Sequence, residues 1–427
     1  MSILDTTYKK NLVKTEKKIW CDEDHHQLYE YFTDFNEWID GEDGQEIRER
    51  YRINNLSQPS KALYASDPEA YNQAFRIFRK EKQNQVLCIE YIKEKFGDAH
   101  WFERNQERFE QLEKCLIEKN VVPFIGAGLS VEGGFPSWKM HLQQQGRTAG
   151  INAEQITTLL DNGQYEEVIQ KIETIRNRET FIQEIKDAFS KNGDLTDTTL
   201  RISELFTDTI ITTNYDHLIE QAFDTGGENT IQLIDIANIS ETPDQNKTTV
   251  IKLHGDINTP SRCILGKNQY DEAYGNGELD LEKPIPKLLS FHYRTSNLLF
   301  LGCSLNQDRT MQVFQAVKEK IGDVDRPQHF SLESIPENIE KLAERNAYLL
   351  SFGITPIWFP HKSYDYIEQI LRLSRNELRY RGCVPGEKRE PIEFENEEPN
   401  VIEEPNASKE PDEVKKKGFW ATVYSYF

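Results

Sequence analysis

The chain is 427 residues long, with 51 basic against 72 acidic side chains and a net charge of −21 at pH 7. That length permits one to three domains with a core of ordinary size. The charge argues against a surface built to coat duplex nucleic acid, so no direct binding of that kind is expected.

The opening MSILDTTYKK has no apolar signal-peptide run, and no apolar stretch approaches a membrane span. A soluble, cytoplasmic protein without a transmembrane segment is expected. The six cysteines, Cys21, Cys88, Cys115, Cys263, Cys303 and Cys383, are never spaced C-x-x-C, which suits reduced thiols and offers no zinc framework.

Residues 1–110 are highly charged and rich in helix formers. In QAFRIFRKEKQNQVLCIEYIKEKF (73–96), Phe75, Ile77, Phe78, Val86, Leu87, Ile89, Tyr91 and Ile92 roughly follow helical spacing. With no catalytic constellation, this region reads as a mostly helical module for oligomerisation or partner docking. WFERNQERFEQLEKCLIEKN (101–120) is a further amphipathic helix that leads into VVPFIGAG.

From there short apolar strands alternate with helices. DTIITTN (208–214), TTVIKLH (248–254), NLLFLG (297–302), HFSLES (329–334) and ITPIWF (354–359) read as strands. QDRTMQVFQAVKEKI (307–321), ENIEKLAERNAYLLSF (337–352) and YDYIEQILRLSRNEL (364–378) read as helices. The alternation predicts an α/β, Rossmann-like parallel sheet spanning 111–383. Between about 140 and 206 the pattern is purely helical, as expected of a subdomain inserted into that unit. Residues 384–413 hold eleven acidic residues, three basic ones and five prolines, which predicts an acidic, disordered linker. The tail 414–427 has five aromatics in its last nine residues, so it either docks on another surface or packs back on its own chain.

Three strand ends carry the polar chemistry. After VVPFI come Gly126, Ala127, Gly128 and Ser130, the kind of turn that lets backbone N–H groups approach a pyrophosphate. The spacing fits neither G-x-G-x-x-G nor a P-loop, which requires a lysine. ITTNYD puts Asn214 and Asp216 beyond a second strand, and KLHGD puts His254 beyond a third. Ligands of open α/β sheets sit at the carboxyl ends of strands, so the three tips point to one cleft. Alternatively, Asp216 caps the helix HLIEQAF and His254 is a turn histidine.

GAGLSVEGGFPSWK, TTNYD, KLHGD and GCSLNQD, in that order, resemble the signature blocks of the sirtuin (silent information regulator two) family over roughly Leu116 to Leu378. The resemblance implies NAD as the bound nucleotide. Ala127 and Ser130 would line the pyrophosphate site, and Gly302, Ser304 and Asn306 the adenosine end. Asn214 would position the nicotinamide ribose and water, Asp216 would contact the nicotinamide carboxamide, and His254, with an ordinary pKa near 6.5, would be the general base.

The departures matter as much. The paired zinc cysteines of sirtuin deacylases are missing, since only Cys263 lies between His254 and Asn297, so no zinc is expected. The peptide-pairing segment is replaced by CILGKNQYDEAYG, Lys139 stands where an arginine is usual, and TTNYD has threonine for glutamine. What remains resembles the sirtuin-like NAD-cleaving effectors of bacterial antiphage defence, which carry helical regions or work beside a HerA-type ATPase, an Argonaute or a nucleotide-sensing partner. This implies a homo-oligomeric NAD hydrolase that depletes NAD in abortive infection, restrained by its N-terminal helices, a partner or a trigger. A protein deacylase, an ADP-ribosyltransferase and a non-catalytic nucleotide sensor are the alternatives.

Overall fold

The computed structural model describes residues 32–383 and Gly386, except 43, 98, 225–229, 237, 307 and 323–325. The linker and tail expected at 384–427 therefore lie outside the described residues apart from Gly386. Among the described residues six helices come first: α1 (Phe32–Asp40), α2 (Gln45–Arg50), α3 (Pro59–Ser66), α4 (Pro68–Val86), α5 (Ile89–Phe96) and α6 (Ala99–Ile117). The helical pattern of 73–96 is two helices, because Cys88 turns left-handed at φ 57° between them. At the head of α4, Pro68 occupies the first turn and the Asp67 carboxylate accepts from the Ala70 N–H at 3.0 Å.

A seven-stranded, wholly parallel sheet follows: β1 (Val121–Ile125), β2 (Thr209–Thr212), β3 (Ile231–Ile234), β4 (Thr248–Lys252), β5 (Asn297–Leu301), β6 (His329–Ser334) and β7 (Ile354–Phe359). Its spatial order is β3-β4-β2-β1-β5-β6-β7. The β1–β2 crossover carries the helical insertion, α7 (Ala127–Glu132), α8 (Trp138–Thr148), α9 (Ala153–Asp161), α10 (Tyr165–Arg176), α11 (Arg178–Phe189) and α12 (Asp197–Leu205). Later helices are α13 (Leu218–Phe223), α14 (Lys267–Tyr274), α15 (Pro284–Thr295), α16 (Arg309–Ile321), α17 (Ile339–Ser351) and α18 (Tyr366–Tyr380). No described helix is long and apolar enough to cross a membrane.

Strands β4, β5 and β7 are buried along their whole length, as helices on both faces require. Alternating side chains feed two cores. Phe124, Ile211, Ile251 and Phe300 face one, with Tyr274 and Leu289. Ile125, Ile210, Val250 and Leu301 face the other, where the N-terminal residues Phe35, Tyr71 and Phe75 share the same cluster. The described N-terminal helices are thus built into the α/β body. Asn105 of α6 ties them further, donating from Nδ2 to the Leu87 and Trp358 carbonyls and accepting from the Trp358 N–H. A third core fills the insertion, where Leu142, Ile172 and Phe181 pack with Tyr215 and Leu218 from just beyond β2. This packing seats the insertion over the strand tips.

His141 lies in that third core, 8% exposed and stacked on Trp138, with Nε2 unpartnered and burial lowering its pKa to about 4. An unfolded histidine takes its proton near pH 6.5, whereas this one resists until about pH 4. Unfolding therefore binds a proton across that window, and stability falls as pH drops. The His141→Phe variant should lose this slope, about 1.4 kcal/mol per pH unit. Urea unfolding at several pH values checks it, and parallel curves for parent and variant would overturn it.

Candidate active site

The chain runs from β1 to β2, on to the edge strand β3, back to β4 between them, and then crosses to β5 on the other side of β1. Loops leaving β1 and β5 diverge at this reversal and open a crevice at the strand tips. The glycines there have a packing reason. A Cβ on Gly126 would lie 2.6 Å from the Gly302 carbonyl oxygen, and one on Gly128 2.8 Å from the same atom. The Gly126 N–H donates to the Leu301 carbonyl and the Gly128 N–H to the Gly302 carbonyl, each at 2.9 Å. Both amides are therefore engaged in joining two strand tips, where the sequence suggested donors to a phosphate. Gly302 itself has φ +66°.

Beyond β2, Asn214 is 8% exposed and Asp216 5%. The Asn214 Nδ2 donates to the Gly126 carbonyl at 3.0 Å and to the Ser130 Oγ at 2.9 Å. Those acceptors fix the amide's orientation and leave its Oδ1 buried without a partner. The Ser130 hydroxyl in turn donates to Asp216 Oδ2 at 2.7 Å. Asp216 Oδ1 accepts from the Leu218 N–H at 3.1 Å, so this carboxylate caps α13 and faces the cleft at once. The hydroxyl of Ser130 thus binds these loops together at the cleft wall.

Beyond β4, the His254 Nε2 lies 3.0 Å from the Tyr274 hydroxyl, and the Tyr270 ring meets the imidazole edge-on at 5.3 Å. Burial lowers its pKa to about 4, which corrects the ordinary value near 6.5 expected from sequence: the imidazole is neutral throughout the physiological range.

Lys252, two residues earlier, is fully buried. Its Nζ donates to the carbonyls of Tyr215 (3.2 Å) and Asp216 (2.6 Å), and to the carboxylates of Glu220 (2.6 Å) and Asp256 (2.8 Å). Burial alone would favour loss of its proton, but the two carboxylates outweigh that and hold its pKa above the ordinary value. Asp256 also receives His217 Nε2 at 3.0 Å and the Asn258 N–H at 2.8 Å. Burial pushes the Asp256 carboxyl up, yet His217, Lys252 and Asn258 together bring it well below the usual range. His217, Glu220 and Asp256 have the donor atoms of a metal site, but the Lys252 ammonium bonds both carboxylates.

Beyond β5, Arg345 of α17 clamps the GCSLN turn. It donates to the Ser304 carbonyl at 2.9 Å and the Leu305 carbonyl at 3.0 Å while pairing with Glu333. Leu305 sits at φ 44°. Lys139 pairs with Asp161, both exposed, at the rim.

All ten residues singled out from sequence line one cleft of about 2110 Å³: Gly126, Ala127, Gly128, Ser130, Asn214, Asp216, His254, Gly302, Ser304 and Asn306. Sequence reasoning missed Lys252, Tyr270, Tyr274 and the Arg345–Glu333 clamp. The i, i+4 spacing of the two tyrosines in KNQYDEAY was a usable signal, since it puts both on one helix face. A lone strand lysine and a distant arginine gave none.

Parallel strands, a reversal at β1 and β5, and an asparagine, carboxylate and imidazole at the tips define a Rossmann-like α/β fold with a polar cleft, and residues 208–357 match the family model described as SIR2-like domain. That match begins after the GAGLS turn and the insertion. The chain is also similar to proteins named NAD(+) hydrolase ThsA. It is 29% identical to that of Bacillus cereus (strain MSX-D12) over 278 residues, 62% of this chain and 56% of the relative. With that of Enterococcus faecium it shares 27% over 263 residues, 61% of this chain and 51% of the relative. With that of Cytobacillus dafuensis it shares 28% over 225 residues, 53% and 43% of the two chains. The chain thus spans about half the length of the curated relatives it matches.

Proposed function

We propose that this chain is an NAD+ glycohydrolase, which cleaves NAD+ to nicotinamide and ADP-ribose and acts as an NAD-depleting effector of antiphage defence. The observation that carries this reading is Asn214: its carbonyl oxygen is buried without a partner, and the residue lines the same cleft at the strand tips as a neutral imidazole. An unpartnered buried acceptor costs stability unless a ligand donor satisfies it, and a ribose hydroxyl or a water is such a donor. The relatives' name, NAD(+) hydrolase, supports the same chemistry.

The bond that breaks joins the ribose anomeric carbon to the nicotinamide ring nitrogen. Its electron pair returns to the ring, so nicotinamide leaves neutral and the sugar becomes an oxocarbenium ion. Asp216 orients the carboxamide through acceptor capacity left on its carboxylate. Asn214 Oδ1 holds the ribose hydroxyl or the water. Water adds to the cationic carbon and loses a proton to His254, which returns it to solvent. Water becomes strongly acidic as it bonds to that carbon, so an imidazole of pKa about 4 suffices, and it remains unprotonated at neutral pH. Ala127, Ser304 and Asn306 supply the walls for the rest of the dinucleotide.

Tyr270 and Tyr274 of α14 stand beside His254 in the segment where the sirtuin resemblance would place acyl-lysine contacts, which favours water as the acceptor. The scheme needs no zinc. The same proposal holds the protein to be cytoplasmic and homo-oligomeric, and restrained by a trigger or by a partner such as a HerA-type ATPase or an Argonaute.

Chromatography of products after mixing the purified chain with NAD+ tests the reading. Nicotinamide with ADP-ribose is expected. O-acyl-ADP-ribose formed with an acyl-lysine peptide would establish a deacylase. Intact NAD+ under every condition, activating partner included, would leave a sensing module.

A further inference from the structure

Among the described residues the hydroxyl of Tyr274 bonds the Nε2 of His254 at 3.0 Å and also the side chain of Thr310. Tyr274 is the last residue of α14 and is 0% exposed. Its ring packs with Leu253, Ile264 and Leu289 in the core beneath the sheet and stacks on Tyr270 at 6.0 Å. A tyrosine so placed offers nothing to the cleft directly. Burying its hydroxyl demands partners, and one of them is the ring proposed as the base.

A neutral imidazole carries one proton on two nitrogens, and the bond made by one nitrogen decides the state of the other. If the Tyr274 hydroxyl donated to Nε2, the ring proton would lie on Nδ1 and neither nitrogen could accept a proton from the cleft. If Nε2–H donates to the Tyr274 oxygen, Nδ1 keeps its lone pair. Resting on the hydrolase reading, we infer that Tyr274 is a positioning residue that holds His254 in its Nε2–H tautomer, so that Nδ1 is the proton acceptor. The edge-on ring of Tyr270, 5.3 Å from the imidazole, limits rotation that would exchange the two nitrogens.

The test is Tyr274→Phe in the full chain, which keeps the ring and removes one oxygen. Its kcat for NAD+ should fall about 10–100-fold, the range seen when the partner behind a metal-bound histidine is removed, while KM stays within about twofold because the tyrosine touches no substrate. The second readout does not need turnover. With 15N-labelled histidine, His254 in the parent chain should show protonated Nε2 and unprotonated Nδ1, and Tyr274→Phe should show a mixture of tautomers. A parent chain with the proton on Nδ1 overturns the inference even if the variant fails to fold. So does a folded variant with parental kcat and an unchanged tautomer. Neither result touches the hydrolase reading, which would fail instead if the parent chain left NAD+ intact under every condition, activating partner included.

Discussion

Asn214→Ala should remain folded and lose NAD+ turnover by about 10²–10³-fold, the usual cost of removing a preorganised polar group from a reacting centre. The stability side follows from its hydrogen bonds. Asn214 donates twice, to the Gly126 carbonyl and the Ser130 hydroxyl, but leaves its buried Oδ1 unpartnered. Alanine loses two favourable bonds and also the desolvation penalty of the orphaned oxygen. The net change should be within about 2 kcal/mol, small for a buried polar deletion. His254→Ala should cost about 10²–10⁴-fold in turnover, the worth of a positioned base. Single-turnover assays beside denaturant unfolding measure both halves of each expectation. Parental turnover in either variant would remove that residue from the reaction.

The opposite pattern, stability lost first, belongs to residues that the sequence hides. The six strands predicted from VVPFI, DTIITTN, TTVIKLH, NLLFLG, HFSLES and ITPIWF all form, because each is short and mostly buried and all but HFSLES are largely apolar runs, the condition under which such a run is legible without alternation. Strand β3, Ile231–Ile234, is a four-residue edge strand, mostly half-buried, and its short IQLI offered too little pattern. The break at Cys88 was equally illegible, since QNQVLCIEYI contains neither glycine nor proline. The site divides in the same way. Asn214, Asp216 and His254 were legible because they follow strands and because their motifs resemble a family. The bonds among them were not, for Ser130 and Asn214 are 84 positions apart and only the fold makes them neighbours. The glycines of the first turn line the cleft, and the fold gives them a second reason that the sequence hides, the contact between two strand tips: sequence reveals that a Cβ is forbidden, but not what would collide with it.

Lys252→Met should therefore be the most damaging single change at the site, and through stability. The Lys252 ammonium is fully buried and satisfies four acceptors at once, two of them carbonyls in the loop that carries Asn214 and Asp216. Methionine matches the length of the stem but leaves the Asp256 carboxylate, 4% exposed, beside Glu220 with no ammonium between them. Breaking a buried pair by deleting one partner costs about 3–5 kcal/mol, mostly the penalty of the charge left behind. Part of that cost should be recovered in the double variant Lys252→Met with Asp256→Asn, since a neutral amide replaces the stranded charge and can still accept from the Asn258 N–H. Lys139→Met is the control: its pair with Asp161 is exposed, with side chains 41% and 54% accessible, and such pairs are worth about 0–1 kcal/mol. Urea midpoints of the four proteins decide the matter. If Lys252→Met unfolds at the same midpoint as Lys139→Met, the ammonium does not hold the strand tips together, and the shape of the cleft must be set elsewhere in the sheet.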